Sequence, residues 1–187
     1  MTKSLKINPY YETEDFTNSF NELVKISKDS HELAIKKGQN LEAFAEDLYS
    51  EAGHYIYELL QNADDKHAIN VEFRLMKDSL SFAHDGTKYF TFEDIRAITT
   101  YGGGEKSQDS TKIGRFGIGF KSTSRITKKP QIRSNQFAFQ ILNQTIPEKI
   151  SLDNFNVDPK YDTAFLFPFG GKLKPEDIKK ETINTLL

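Results

Sequence analysis

Hydrophobic positions along the chain follow two different periods, and the switch between them organises the sequence. Phe16, Phe20, Leu23 and Val24 recur at helical spacing behind Asp15, which stands where a helix cap is expected, and Gly38 supplies the stop. Asn40 offers a second cap. Leu41, Phe44, Ala45, Leu48, Tyr49, Ala52, Tyr55, Ile56, Leu59, Leu60 and Ala63 then trace one broad apolar face, the clearest helical signal in the chain. Beyond it the period drops to two. Ile69, Val71, Phe73 and Leu75 alternate with polar residues, and Leu80 and Phe82 resume the alternation after Lys77-Asp78-Ser79, which predicts a hairpin.

Thr91-Phe-Glu-Asp94 has the form of a capping box and opens a short helix carrying Ile95 and Ile98. Tyr101 to Thr111 is glycine-rich and polar, hence a loop, and another short helix is expected near Gly117. Gln131 to Leu142 and Thr163 to Phe169 predict later strands, and Pro175 sits where a terminal helix begins. This order predicts an α+β, two-layer sandwich: one mixed, mostly antiparallel sheet covered on one face by helices. With no repeat, low-complexity stretch or linker, residues 1–187 read as a single domain. It divides into an N-terminal helical arm (1–39), a motif-bearing core (40–125) and the remaining strands with a terminal helix (126–187).

Composition narrows the classes. A chain of 187 residues buries roughly 70% of the surface its unfolded form exposes. With 15 Phe, 8 Tyr and no Trp, Phe is expected to supply much of the core. The net charge of −2 gives no bulk attraction to nucleic acid or an anionic membrane. Absence of Cys excludes disulfides, thiolate metal sites and cysteine nucleophiles. The first residues lack an apolar core of signal-peptide length and no run approaches a membrane span, so a cytoplasmic location is expected.

Three segments carry candidate chemistry. Glu58 and Asn62, four residues apart in Glu58-Leu-Leu-Gln-Asn62-Ala-Asp-Asp65, share one side of the long helix and flank its apolar stripe. A carboxylate there can orient and deprotonate water, and an amide oxygen one turn on suits a hard Mg²⁺ ion. Alone, such a spacing describes many ordinary helix ends. The second segment, Leu80-Ser-Phe-Ala-His84-Asp85-Gly86, ends a strand with polar side chains beside a glycine that permits close approach of a ligand. The third places six glycines between Gly102 and Gly119, which frees backbone N–H groups for an anion, with Lys106, Arg115 and Lys121 adding charge.

Other phosphate motifs fail. Gly114 to Gly119 has P-loop spacing, but Phe120 intervenes before Lys121-Ser122 and no buried strand precedes it. No third glycine follows Gly117-Ile-Gly119, so the dinucleotide fingerprint is absent. The four histidines show no metal-ligand spacing, and no nucleophile elbow appears.

Taken in order, Glu-Leu-Leu-Gln-Asn-Ala-Asp-Asp, His-Asp-Gly and Ile-Gly-Arg-Phe-Gly-Ile-Gly-Phe-Lys-Ser resemble the ATP-binding domain of the GHKL superfamily, and look closest to its sacsin-like and MORC-like ATPases. The resemblance implies the Bergerat fold, bound ATP and Mg²⁺, and slow hydrolysis of ATP to ADP and phosphate. It implies Glu58 as the general base, Asn62 as the Mg²⁺ ligand and Asp65 as a further acidic residue of the helix. Gly114, Gly117 and Gly119 would wrap the phosphates, with Arg115, Phe116, Ile118 and Phe120 interleaved. Gly102 to Thr111 would form the lid, Lys106 and Lys121 would meet phosphate, and Thr163 would lie on the strand that closes the pocket.

The adenine-reading aspartate is where this sequence departs from the family's Asp-x-Gly-x-Gly. A gapless match on Gly86 puts His84 at the aspartate position; sliding by one recovers Asp85. Asp85 is taken as the acceptor for the adenine amino group, with His84 as its rival, since a neutral imidazole also accepts through one nitrogen. The resemblance further implies lid closure with nucleotide-dependent homodimerisation. The residues before Asn40 would then either exchange between protomers or pack on their own domain. Further domains or a protein client would complete a larger machine of which this chain is a fragment. A nucleotide-sensing interaction module and a histidine-kinase-type catalytic domain are the alternatives.

Overall fold

The computed structural model describes residues 6–39, 53–100 and 119–187. Among them, six strands form one sheet in the order β1-β2-β6-β3-β4-β5. The strands are β1 (Val71–Leu75), β2 (Ser79–His84), β3 (Gln131–Ser134), β4 (Phe137–Leu142), β5 (Ile146–Lys149) and β6 (Thr163–Pro168). Every pairing is antiparallel, so the expected mixed sheet is corrected to an antiparallel one. Hairpins join β1 to β2, β3 to β4 and β4 to β5, and β6 fills the gap between β2 and β3, antiparallel to both.

The single strand expected over Gln131–Leu142 is a hairpin instead, turned at Asn135 with φ 51°. A second turn, with Asn143 and Gln144 at φ 50° and 67°, leads into β5. Two consecutive left-handed residues match the twist of the flanking strands.

Helix α1 (Glu14–Lys36) is capped by Thr13 rather than Asp15: the Thr13 hydroxyl accepts from the Phe16 N–H at 3.2 Å. Gly38 follows its end at φ 72°, the left-handed conformation that stops a helix. Helix α2 (His54–Asp65) starts at Gly53, whose φ of 71° interrupts any continuous helix from Asn40 to Ala63; residues 40–52 lie outside the described residues. The capping box of α3 (Phe92–Thr99) is present in both directions, and α4 (Pro175–Leu186) opens with proline.

The alternation places Leu80, Phe82, Ile132, Phe137, Phe139, Phe165 and Phe167 on one face of the sheet, where Phe16, Phe20, Tyr55, Ile56, Leu59, Ile95, Ile98 and Ile178 of the helices cover them. Phenylalanine does supply much of this core. On the opposite face Ala83, Tyr161 and Ala164 pack beneath Phe155 and Val157. The N-terminal arm packs on its own domain. Gln136 pairs with both the N–H and the C=O of Asn8, at 2.8 and 2.7 Å, and the Tyr11 hydroxyl donates to the Phe90 carbonyl at 2.7 Å. Among the described residues, no helix is long and apolar enough to cross a membrane.

Candidate functional site

Helix α2 organises the site because two glycines meet it one after the other. Gly119 lies against Glu58 so closely that a Cβ there would overlap the carboxylate. Two turns further on, Gly86 lies against the end of the helix, where a Cβ would come within 2.8 Å of the Lys66 carbonyl. Between these contacts Asn62 points inward, 3% exposed. Eight residues of helix span about 12 Å, so Asn62 sits about 6 Å from each end of this ledge. The Glu58 side chain is 19% exposed and receives the His54 Nε2 at 3.3 Å, which restrains it from one turn back. Asp65 is exposed at the helix end.

The buried strand β2 delivers the second part. His84 is its last residue, fully buried on the helix-covered face between the rings of Phe82 and Phe165, 5.9 and 6.3 Å away. Burial lowers its pKa to about 4, so the ring is neutral near pH 7. Its Nδ1 accepts the Gly86 N–H at 3.1 Å, and its Nε2 has no hydrogen-bond partner among the described residues. The register sets Thr163 of β6 opposite His84, and Ser134 of β3 opposite Thr163. Thr163 Oγ1 is likewise buried without a partner.

Asp85 turns the other way. It accepts from the Ile69 N–H at 2.9 Å, the Asn70 N–H at 2.8 Å and the Asn70 amide at 2.8 Å. Burial opposes its ionisation, but these bonds prevail and lower its pKa to about 2. Both oxygens are thus engaged in fastening the turn before β1.

Lys121 is buried, and its ammonium donates to the carbonyls of Ile98 and Gln144, which ties the end of α3 to the β4–β5 turn. Burial lowers its pKa to about 7. Phe120 is buried in the core. Lys106, Gly114, Arg115, Phe116, Gly117 and Ile118, together with the expected lid from Gly102 to Thr111, lie outside the described residues.

Sequence reasoning missed Lys66 and Ser134. Lys66 Nζ reaches Asp94 at 2.6 Å and lies 5.3 Å from the centre of the Phe90 ring, so it links the end of α2 to the cap of α3. Ser134 Oγ accepts from the Phe90 N–H at 3.0 Å and lies 2.7 Å from the Tyr11 hydroxyl, to whose oxygen it donates. Neither carries a motif signal; each was found only because the fold brings distant segments together. A cavity of about 200 Å³ opens beside Gly86, lined by Lys6, Asn8, Thr87, Tyr89, Asn135 and Asp162.

An antiparallel sheet with helices on one face, the Glu58–Asn62 ledge and a polar row at the sheet's end make this an α+β domain, and its sequence similarities support a sacsin-like one. Residues 77–162 match the family described as the Sacsin domain. Protein NO VEIN of Arabidopsis thaliana is 36% identical over 131 residues, 67% of this chain and 5% of that protein. Sacsin of Homo sapiens is 34% identical over 102 residues, 46% of this chain and 2% of that protein. The chain therefore spans only a small part of the length of these relatives.

Proposed function

We propose that this chain is a GHKL-type, Mg²⁺-dependent ATP-binding and ATP-hydrolysing domain on a Bergerat fold. The observation that carries the reading is the set of buried polar atoms left unpartnered on one side of the helix–sheet interface: Asn62 Nδ2, His84 Nε2 and Thr163 Oγ1. Native proteins rarely bury such groups unmet unless water or a ligand completes them. Two glycines approach the same helix closely enough to exclude any side chain, which leaves backbone against the ledge.

Asn62 would hold Mg²⁺ through its amide oxygen, and the ion, when bound, neutralises charge on the phosphates. Among the described residues no cluster of three or more His, Asp or Glu would hold a metal unaided. A site completed by phosphate oxygens fits that donor set. Glu58 would orient and deprotonate the attacking water, with His54 fixing its carboxylate. The base contact would fall to His84, through its unpartnered Nε2, since the Asp85 oxygens accept from Ile69 and Asn70. Lys121 would brace the site, its ammonium donating to the carbonyls of Ile98 and Gln144. Nucleotide-dependent dimerisation, a cytoplasmic location and a role inside a larger machine accompany this reading.

Equilibrium binding of ATP with and without Mg²⁺ tests it. The chain should bind MgATP, and Asn62→Ala should weaken MgATP binding at least tenfold with little effect on ATP measured in EDTA. Absence of nucleotide binding would end the reading.

A further inference from the structure

The open edge of the sheet carries an inference that stands apart from the nucleotide reading. β1 is an outer strand, and among the described residues no strand pairs with it on the side away from β2. The ladder shows which of its groups face outward. The Met76 N–H donates to the Ser79 carbonyl at 2.9 Å at one end of the hairpin, and the Asp85 N–H donates to the Asn70 carbonyl at 3.2 Å at the other. Between them the register is unbroken, from Leu75 opposite Leu80 to Val71 opposite His84. Bonding alternates along an antiparallel ladder, so Asn70, Glu72, Arg74 and Met76 turn their backbone groups to β2. Val71, Phe73 and Leu75 then direct their N–H and C=O groups to the open side.

Nothing in β1 blunts that edge: Val71-Glu-Phe-Arg-Leu75 carries no proline, lysine or bulge. Its apolar flank runs into the open, with Ile69 91% and Val71 41% exposed. Charge then selects what can pair. Glu72 and Arg74 lie on the other face, on either side of Phe73, and are 2.8 Å apart. A second β1 laid antiparallel about a two-fold axis at Phe73 sets Val71, Phe73 and Leu75 opposite Leu75, Phe73 and Val71 of the second copy. Their outward groups meet in reciprocal pairs. The same register sets Glu72 opposite Arg74 of the second copy, and Arg74 opposite its Glu72. Moving the axis one residue either way puts Glu72 against Glu72 or Arg74 against Arg74, and like charges directly opposed are destabilising. We propose that β1 is a self-complementary edge, at which two copies of this chain join their sheets about a two-fold axis at Phe73.

Sedimentation of the chain over a concentration series, without nucleotide, tests this. A strand of 5 residues makes a small interface, so half-dimerisation is expected on the order of 100 µM. Val71→Pro removes an outward N–H and leaves the β1–β2 ladder whole, a place where an edge strand tolerates proline. It should weaken the dimer at least tenfold with the urea midpoint kept. Arg74→Glu, which sets acid against acid, should also weaken it at least tenfold. Adding Glu72→Arg to that variant restores opposite charges with the signs exchanged, and should recover the dimer. The bond from Arg74 to the Asn156 carbonyl, 3.0 Å, is lost in both charge variants, so recovery isolates the cross-strand pairing. A chain that stays monomeric well above that concentration would overturn the proposal. So would a dimer unmoved by Val71→Pro and Arg74→Glu, or one that the charge exchange does not recover. Should Val71→Pro not fold, the charge variants decide. None of these measurements involves nucleotide, so failure here leaves the nucleotide reading standing.

Discussion

At the scale of single residues, environment decides what a side chain can do. His84 and Asp85 are neighbours, yet the pleat sends one into the helix-covered face and the other to a turn. Burial holds His84 neutral, with Asp85 and Asp162 opposing the shift and Lys66 assisting it. The folded pKa of about 4 lies below the ordinary histidine value of 6.5, so the unfolded chain binds the extra proton between those values. Stability from this residue is fully present above pH 6.5 and is lost as pH falls towards 4. The whole effect amounts to about 3 kcal/mol. Urea denaturation at a series of pH values should show that slope, and His84→Gln should flatten it. Asp85→Ala should cost about 1–2 kcal/mol through the loss of three turn contacts, while leaving nucleotide affinity unchanged; calorimetry beside urea melts separates the two. Gly119→Ala should displace the Glu58 carboxylate and lower phosphate release by about 10²-fold, with binding retained.

Elements were legible in proportion to how local their signals are. The capping box at Thr91 and Asp94, the proline at the start of α4 and the alternation in β1 and β2 all read directly, because each is decided within a few residues. The β3–β4 turn at Asn135 did not, since no glycine announces its positive φ and the apolar run continues through it. Gly53 was hidden for the opposite reason: a glycine amid strong helical periodicity gives no sign that it adopts a left-handed φ. Thr13 took the cap from Asp15 because the geometry of the first turn decides among adjacent capping residues. The Glu58–Asn62 pair was legible as a spacing, whereas its meeting with Gly119 depends on tertiary contact. The arm illustrates the same limit. Tyr11, in the turn ahead of α1, ties the arm to Phe90 and Ser134 through its hydroxyl, so Tyr11→Phe should destabilise the chain by about 1–2 kcal/mol, read as a lower urea midpoint with an unchanged slope.

On the scale of the whole molecule, one helix carries Glu58, Asn62 and the Lys66 carbonyl past two glycines, while the sheet's end presents a polar row. The sacsin-like match over residues 77–162 covers β2, α3 and β3 to β5, and leaves α2 and Thr163 outside. The enzymatic claim therefore rests on Glu58 more than on any other residue. The sensing alternative shares the pocket and differs only in lacking turnover. Phosphate release from MgATP, measured for the unaltered chain and for Glu58→Ala under conditions where both bind ATP, addresses this directly. The account predicts slow release by the unaltered chain, abolished in Glu58→Ala with ATP affinity kept. Equal release from both proteins would contradict it.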